Sequence, residues 1–145
     1  MLYSASRTKQ VQAQEFLTRL AEERDLERIP QYGERRSERR TDLSVAVWVI
    51  PMDEDCPEIG KAFVAVTRDI SSLGMAVVTH RAVLMPEIVI CFSGKCQPVF
   101  LRATVRGQKD LGLGCFRLSL EVTGLVDTEE YPQLRHFTQR VLAPA

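Results

Sequence analysis

Alternation of apolar and polar residues over positions 41–122 is the feature that most restricts the fold of this chain. Side chains of a β-strand point alternately to its two faces, so a period of two predicts strands with one buried face. Turn-rich pieces separate the apolar segments, and no helical period lies between them, which favours antiparallel strands in a small barrel or sandwich. The predicted strands are residues 43–49, 62–66, 74–78, 87–92, 99–106 and 116–122.

The N-terminal part of the chain has a helical composition instead. Residues 6–29 are rich in Gln, Glu, Arg, Ala and Leu and contain no Gly or Pro, which favours a helix. Phe16, Leu17 and Leu20 form its apolar stripe, with Leu26 and Ile29 behind them. We interpret this segment as a surface helix on the domain, with a docking arm as the alternative. We predict a helical extension and linker over residues 1–32 and a barrel domain over residues 33–145.

A second helix is predicted at the end of the chain. Leu134, Phe137 and Val141 have helical spacing within residues 127–142. This pattern indicates a closing C-terminal helix, which we expect to lie across one opening of the barrel.

Composition and charge exclude several classes of protein. The 19 Lys and Arg residues balance 19 Asp and Glu residues, which argues against a general binder of nucleic acid polymers, because such proteins need a broad basic field. No stretch approaches the roughly 20 apolar residues of a membrane span, and the N-terminus lacks a signal-peptide core. Four cysteines without an export signal indicate reduced thiols. We therefore expect a cytoplasmic protein with no membrane insertion.

Residue patterns typical of catalysis are missing from the sequence. Its 2 histidines, His80 and His136, belong to no nucleophile or zinc-protease motif. The glycine-rich residues 107–114 lack the ending of a phosphate loop and are interpreted as a hairpin turn. The spacing of Cys91 and Cys96 favours buried apolar thiols over a metal site. We expect no enzyme, no metal and no cofactor.

Two polar motifs do suggest a binding function. Four arginines, Arg35, Arg36, Arg39 and Arg40, fall within six positions just before the first predicted strand. Further on, Asp69, Ser71 and Gly74 form Asp-x-Ser-x-x-Gly between two predicted strands. By itself the second motif would indicate a polar turn in which Gly supplies a positive φ angle. Arg-x-x-x-Arg by itself is weak, since Arg102 and Arg106 also match it.

The two motifs in this order make the chain resemble the PilZ domain, the bacterial receptor module for the second messenger cyclic di-GMP. Arg36 and Arg40 are the pair that fits, because the alternation from Leu43 then falls where the family has its first strand. Taking Arg35 and Arg39 would shift that strand by one residue and turn its apolar face outward. The resemblance runs from about residue 34 to the last helix and implies a six-stranded antiparallel β-barrel with a C-terminal helix.

The chemistry of cyclic di-GMP explains the residue types that the resemblance implies. Guanine presents O6 and N7 as adjacent acceptors, which the planar guanidinium of Arg36 or Arg40 can bind bidentately, as it can a phosphate. The other guanine edge has N1–H and N2–H2 donors, which suit the Asp69 carboxylate. Ser71 offers a hydroxyl, and Gly74 lets the ligand approach the backbone. We expect a tethered clamp for phosphate and guanine at the mouth of the barrel.

The resemblance also implies a number of ligands and a mode of signalling. An arginine before Arg-x-x-x-Arg favours an intercalated ligand dimer in the family, and Arg35 holds this position. Such receptors change shape on binding and act on an effector protein, whose identity the sequence does not show. Two alternatives stay open: an adaptor of the same fold that binds only protein, and a small barrel that binds single-stranded RNA.

Overall fold

The structure, a computed structural model, describes residues 2–25, 41–93 and 97–142. Helix α1 precedes eight strands, and helix α2 follows them and continues into a π-helical turn at Thr138–Leu142. The elements are α1 (Leu2–Asp25), β1 (Thr41–Asp42), β2 (Ala46–Asp53), β3 (Cys56–Pro57), β4 (Phe63–Ile70), β5 (Gly74–Thr79), β6 (Glu87–Phe92), β7 (Val99–Gly112), β8 (Cys115–Val126) and α2 (Pro132–Phe137).

The six longer strands form a closed antiparallel barrel. Their order is β4-β5-β8-β7-β6-β2, and a further pairing between β2 and β4 closes the ring. The two-residue strands β1 and β3 pair with β4 and β2, respectively. All the described pairings are antiparallel. The predicted fold class is therefore confirmed.

Alternate residues of the strands fill the barrel interior, as the period of two predicted. Val47 and Val49 on β2, and Ile88 and Ile90 on β6, are buried in one interior cluster. Their neighbours in sequence point outward. In β6 these neighbours are Val89 and Cys91, and they belong to a second apolar cluster on the outside of the barrel. Strand β6 is therefore buried on both faces, consistent with its unbroken apolar sequence.

The C-terminal helix covers a different part of the barrel from the one we expected. Leu134 and Phe137 of α2 are buried in the outer cluster, against the outward faces of β2, β6 and β7. The prediction that the C-terminal helix lies across a barrel opening is therefore wrong. Helix α1 covers one end instead, since its Ala13 and Leu17 are fully buried in the interior cluster. The apolar stripe of α1 was predicted correctly, and its residues are part of the barrel core.

The glycine-rich residues 107–114 are mostly strand. Strand β7 continues to Gly112, and Gly112 pairs with Cys115. Only Leu113 and Gly114 form the turn, with φ angles of 58° and 77°. Two consecutive positive φ angles are typical of the tight hairpin turns whose twist matches that of the strands. The predicted hairpin turn is thus much shorter than the glycine-rich segment.

Candidate ligand-binding site

The connection between β4 and β5 is a tight turn built around Ser71. The Ser71 hydroxyl accepts hydrogen bonds from the backbone N–H groups of Leu73 at 3.3 Å and Gly74 at 3.2 Å. The Ser71 N–H donates to the Gly74 carbonyl at 2.8 Å. Ser71 is buried, so its hydroxyl is used inside the protein to shape the turn.

Gly74 has a steric role between two strands. A Cβ atom at this position would lie 2.0 Å from the carbonyl oxygen of Leu120 and 3.1 Å from its carbonyl carbon. Both are backbone atoms of β8, which pairs with β5 at this point. The φ angle of Gly74 is not positive, contrary to what a polar turn alone suggested. Gly74 is therefore required because β5 and β8 approach too closely for any side chain.

A β-bulge directs Asp69 to the outside of the barrel. The register of β4 with β5 shifts between Thr67 and Asp69, so Arg68 is an extra residue in β4. Thr67 is buried inside, and regular alternation would point Asp69 inward as well. The bulge places Asp69 opposite the outward-facing Ala76 instead. A half-buried carboxylate thus lies on the outer wall beside the Ser71 turn.

A pocket of about 260 Å³ lies on this outer wall. Its floor comes from β5 and β8, where Gly74 pairs with Glu121 and Ala76 pairs with Ser119. Gly74, Ala76 and Ser119 are small, which leaves room for the pocket above these two strands. We expected the site at the mouth of the barrel. Helix α1 covers that end, and this pocket lies on the wall next to it. The described residues lining the pocket include Asp69, Ser71, Leu73, Gly74, Met75, Ala76, Arg106, Ser119, Leu120 and Glu121.

An ion pair that the motifs did not indicate borders the pocket. Arg106 Nε donates to Glu121 Oε2 at 2.7 Å, and both side chains are about half exposed. In the sequence, Arg106 was only one end of a weak Arg-x-x-x-Arg match. The following Gly107 was a possible signal, because a glycine inside a strand often marks a bulge.

The arginines of the first motif, Arg35, Arg36, Arg39 and Arg40, lie outside the described residues, as do Leu26, Ile29 and Cys96. Arg40 directly precedes Thr41 in the sequence, and Thr41 pairs with Ile70 in β4. The next pair, Asp42 with Asp69, places two carboxylates next to each other on the outer face.

The described thiols give no sign of a metal site. Burial raises the pKa of the Cys91 thiol to about 12, which fits the predicted apolar cysteine. Cys115 lies 3.7 Å from His80 Nδ1, at the opposite end of the barrel from the Ser71 turn. No group of three or more possible metal ligands occurs among residues 2–25, 41–93 and 97–142.

A helix that crosses a membrane needs about 20 consecutive, mostly apolar residues. No helix within residues 2–25, 41–93 and 97–142 is long and apolar enough to do so.

Comparison with known proteins finds similarity at the level of solved structures. No family model matches the chain, and no curated protein matches it. The inhibitor of motility of Bacillus subtilis (MotI/DgrA) is 18% identical with a TM-score of 0.47, over 79% of this chain and 56% of that protein. MrkH, described as a c-di-GMP-dependent transcription regulatory factor, is 13% identical with a TM-score of 0.43, over 77% of this chain and 53% of MrkH. The chain spans about half the length of these two proteins.

Proposed function

We propose that this chain is a PilZ-type receptor for cyclic di-GMP, with Arg36 and Arg40 binding phosphate and guanine and Asp69 reading the other guanine edge. The observation that carries the proposal is the pairing of β1 with β4. Thr41 follows the arginine motif directly in the sequence, and it pairs with Ile70, next to Asp69 at the end of β4. Arg36 is five residues from Thr41, a length of chain that spans at most about 18 Å.

The charges of the described pocket fit a guanine better than a phosphate. Asp69 offers carboxylate oxygens, which accept hydrogen bonds from the N1–H and N2–H2 groups of guanine, whereas Glu121 is already paired with Arg106. Phosphates need donors and positive charge, which the arginine motif supplies. The two motifs therefore divide the ligand between them, with the pocket taking one base and the arginines taking the phosphates and the other base.

The pocket is smaller than the 300–1,000 Å³ common for ligand sites, as roughly 260 Å³ suits only part of cyclic di-GMP. The rest of the ligand would lie over the outer wall under the arginine segment. In this proposal Ser71 and Gly74 mainly shape the site: Ser71 holds the turn, and Gly74 lets β5 and β8 meet. The barrel wall is the surface on which the ligand lies in this proposal.

Signalling would begin in the chain that joins α1 to β1, because it contains the arginines. Helix α1 lies close to the Ser71 turn, with a groove of about 560 Å³ between Ser72 and residues such as Gln14 and Thr18 of α1. Leu17 is fully buried in the barrel core, so α1 itself is fixed to the barrel. We propose that an effector protein reads the ligand-dependent shape of this joining segment beside α1.

The decisive experiment is calorimetric titration of the purified protein with cyclic di-GMP, with GTP and a short RNA as competing candidates. Arg36→Ala or Arg40→Ala should weaken cyclic di-GMP binding by about 2 kcal/mol or more, roughly 30-fold, since each removes a charge-assisted bidentate contact. Arg135→Ala, a change of equal charge on α2, is the control and should leave binding unchanged. No binding of cyclic di-GMP by the natural protein would refute the proposal and favour the protein-only adaptor.

Asp69→Ala should weaken binding and also reduce selectivity for the base. Adenine carries an amino donor where guanine has O6, and it lacks the N2 amino group. Loss of the carboxylate should therefore affect cyclic di-GMP more than cyclic di-AMP. The ratio of the two dissociation constants measures this selectivity, and an unchanged ratio would show that Asp69 does not read the base.

The number of bound ligands follows from Arg35. We propose an intercalated dimer of cyclic di-GMP, whose doubled negative charge calls for a further cation next to Arg36. Calorimetry should then give two ligands per barrel for the natural sequence, and Arg35→Leu should lower the ratio towards one. A ratio of one in the natural protein would contradict this part of the proposal alone.

A further inference from the structure

Two β-bulges lie on either side of the pocket floor. One is the bulge in β4 that turns Asp69 outward. The other is in β7, where the register with β8 shifts between Val105 and Gly107 and Arg106 is the extra residue. Bulges redirect side chains and often occur next to functional sites. Here they place a carboxylate on one side of the floor formed by β5 and β8 and a guanidinium on the other.

The floor between these charges is suited to a planar group. Ala76 and Ser119 form a pair on the outer face, and Gly107 lies opposite Ser119 on its other side. A Cβ atom at Gly107 would meet only the Ser119 side chain, at 3.9 Å, so the surface above these residues is low. A base could therefore lie flat on it with its edges directed at β4 and β7.

The Arg106 side chain is held by an ion pair with Glu121, and a ligand could take the place of Glu121 in this pair. Its partner Glu121 lies 2.7 Å away, with relative side-chain exposures of 62% for Arg106 and 47% for Glu121. An exposed pair of this kind contributes little to stability, so breaking it costs little. Among the described residues that line the pocket, Arg106 is the only cation.

We propose that Arg106 is a specificity-determining residue. On ligand binding, its guanidinium breaks its ion pair with Glu121 and binds O6 and N7 of a guanine that lies between Asp69 and β7. The inference rests on the proposed function and adds a barrel residue to it. Arginine is the side chain that binds this guanine edge bidentately. Glu121 competes for the same guanidinium and adds negative charge near the phosphates. Glu121 therefore opposes binding, while Arg106 supports it.

This arrangement predicts effects of opposite sign for the two partners of one ion pair. Arg106→Gln should weaken cyclic di-GMP binding at least 10-fold. Glu121→Gln should strengthen it about 3-fold or more, because Arg106 is then free for the ligand. Arg106→Lys keeps the charge without the planar fork, so it should lose most of the preference for cyclic di-GMP over cyclic di-AMP.

Calorimetry on the full chain measures these affinities, and thermal unfolding confirms that each variant is folded. Lys109→Gln is the matched control: it removes one positive charge from β7 at a residue not found among those lining the pocket, and should change affinity less than twofold. Equal affinities of Arg106→Gln and Lys109→Gln for cyclic di-GMP would overturn the inference. Weaker binding in both Arg106→Gln and Glu121→Gln would overturn it as well. If Arg36→Ala still weakens binding roughly 30-fold in that case, the proposed function stands. Absence of binding in the natural protein refutes both.

Discussion

Gly74→Ala is expected to lower the free energy of unfolding by about 3 kcal/mol or more, at the upper end of what overpacking costs. The added Cβ would lie 2.0 Å from the Leu120 carbonyl oxygen and 3.3 Å from Glu121 Cα. Backbone atoms in the middle of a closed barrel cannot move aside as the end of a flexible side chain can. Strands β5 and β8 would have to separate, breaking their ladder at the site. Urea unfolding followed by circular dichroism measures the loss.

Gly107→Ala is the matched control for this prediction. Gly107 is also a strand glycine facing β8, but its added Cβ would make only an ordinary contact with Ser119, at 3.9 Å. The expected change in unfolding free energy is within about 1 kcal/mol, the usual range for a tolerated Gly→Ala replacement. If Gly74→Ala were as stable as Gly107→Ala, the close approach of β5 and β8 would not explain the glycine of the motif.

Leu17→Ala should cost about 2–5 kcal/mol of unfolding free energy, the range for removing a buried leucine side chain. Leu17 is fully buried, and it belongs to the same apolar cluster as the barrel interior. Its removal leaves a cavity at the end of the barrel that α1 covers. Chemical denaturation monitored by fluorescence of Trp48, which lies in the separate outer cluster, reports whether the whole domain is weakened.

Val11→Ala provides the comparison on the same helix. Val11 is 45% exposed, so its truncation should change stability by no more than about 0.5 kcal/mol. A similarly small effect of Leu17→Ala would show that α1 is a dispensable extension. A large effect of Leu17→Ala would show that the boundary predicted between residues 1–32 and 33–145 does not separate two independently folding parts.

Several elements of the fold could be predicted because their signals are local. Strand β6 has the bounds of the predicted segment 87–92, and the apolar stripe of α1 contains the buried Leu17. The position of α2 is not determined by a local sequence signal. It depends on which apolar surface the finished barrel leaves uncovered, and that surface combines Ile50, Val89 and Phe100 from three strands. The apolar run of β6 indicated burial on both faces, but not what would cover the outer one.

For the candidate site, the sequence by itself determined the residue types and their order: an arginine cluster, a first strand, and then Asp69, Ser71 and Gly74. Only the tertiary structure decided what Asp69, Ser71 and Gly74 each do. A period-two pattern assigns Asp69 to the interior, and the bulge at Arg68 reverses this. The contact that requires Gly74 involves Leu120, 46 residues further along the chain. Arg106 lies at the pocket for the same reason. Strand pairing and bulges depend on contacts between segments that are distant in sequence, so the sequence of one strand does not predict them.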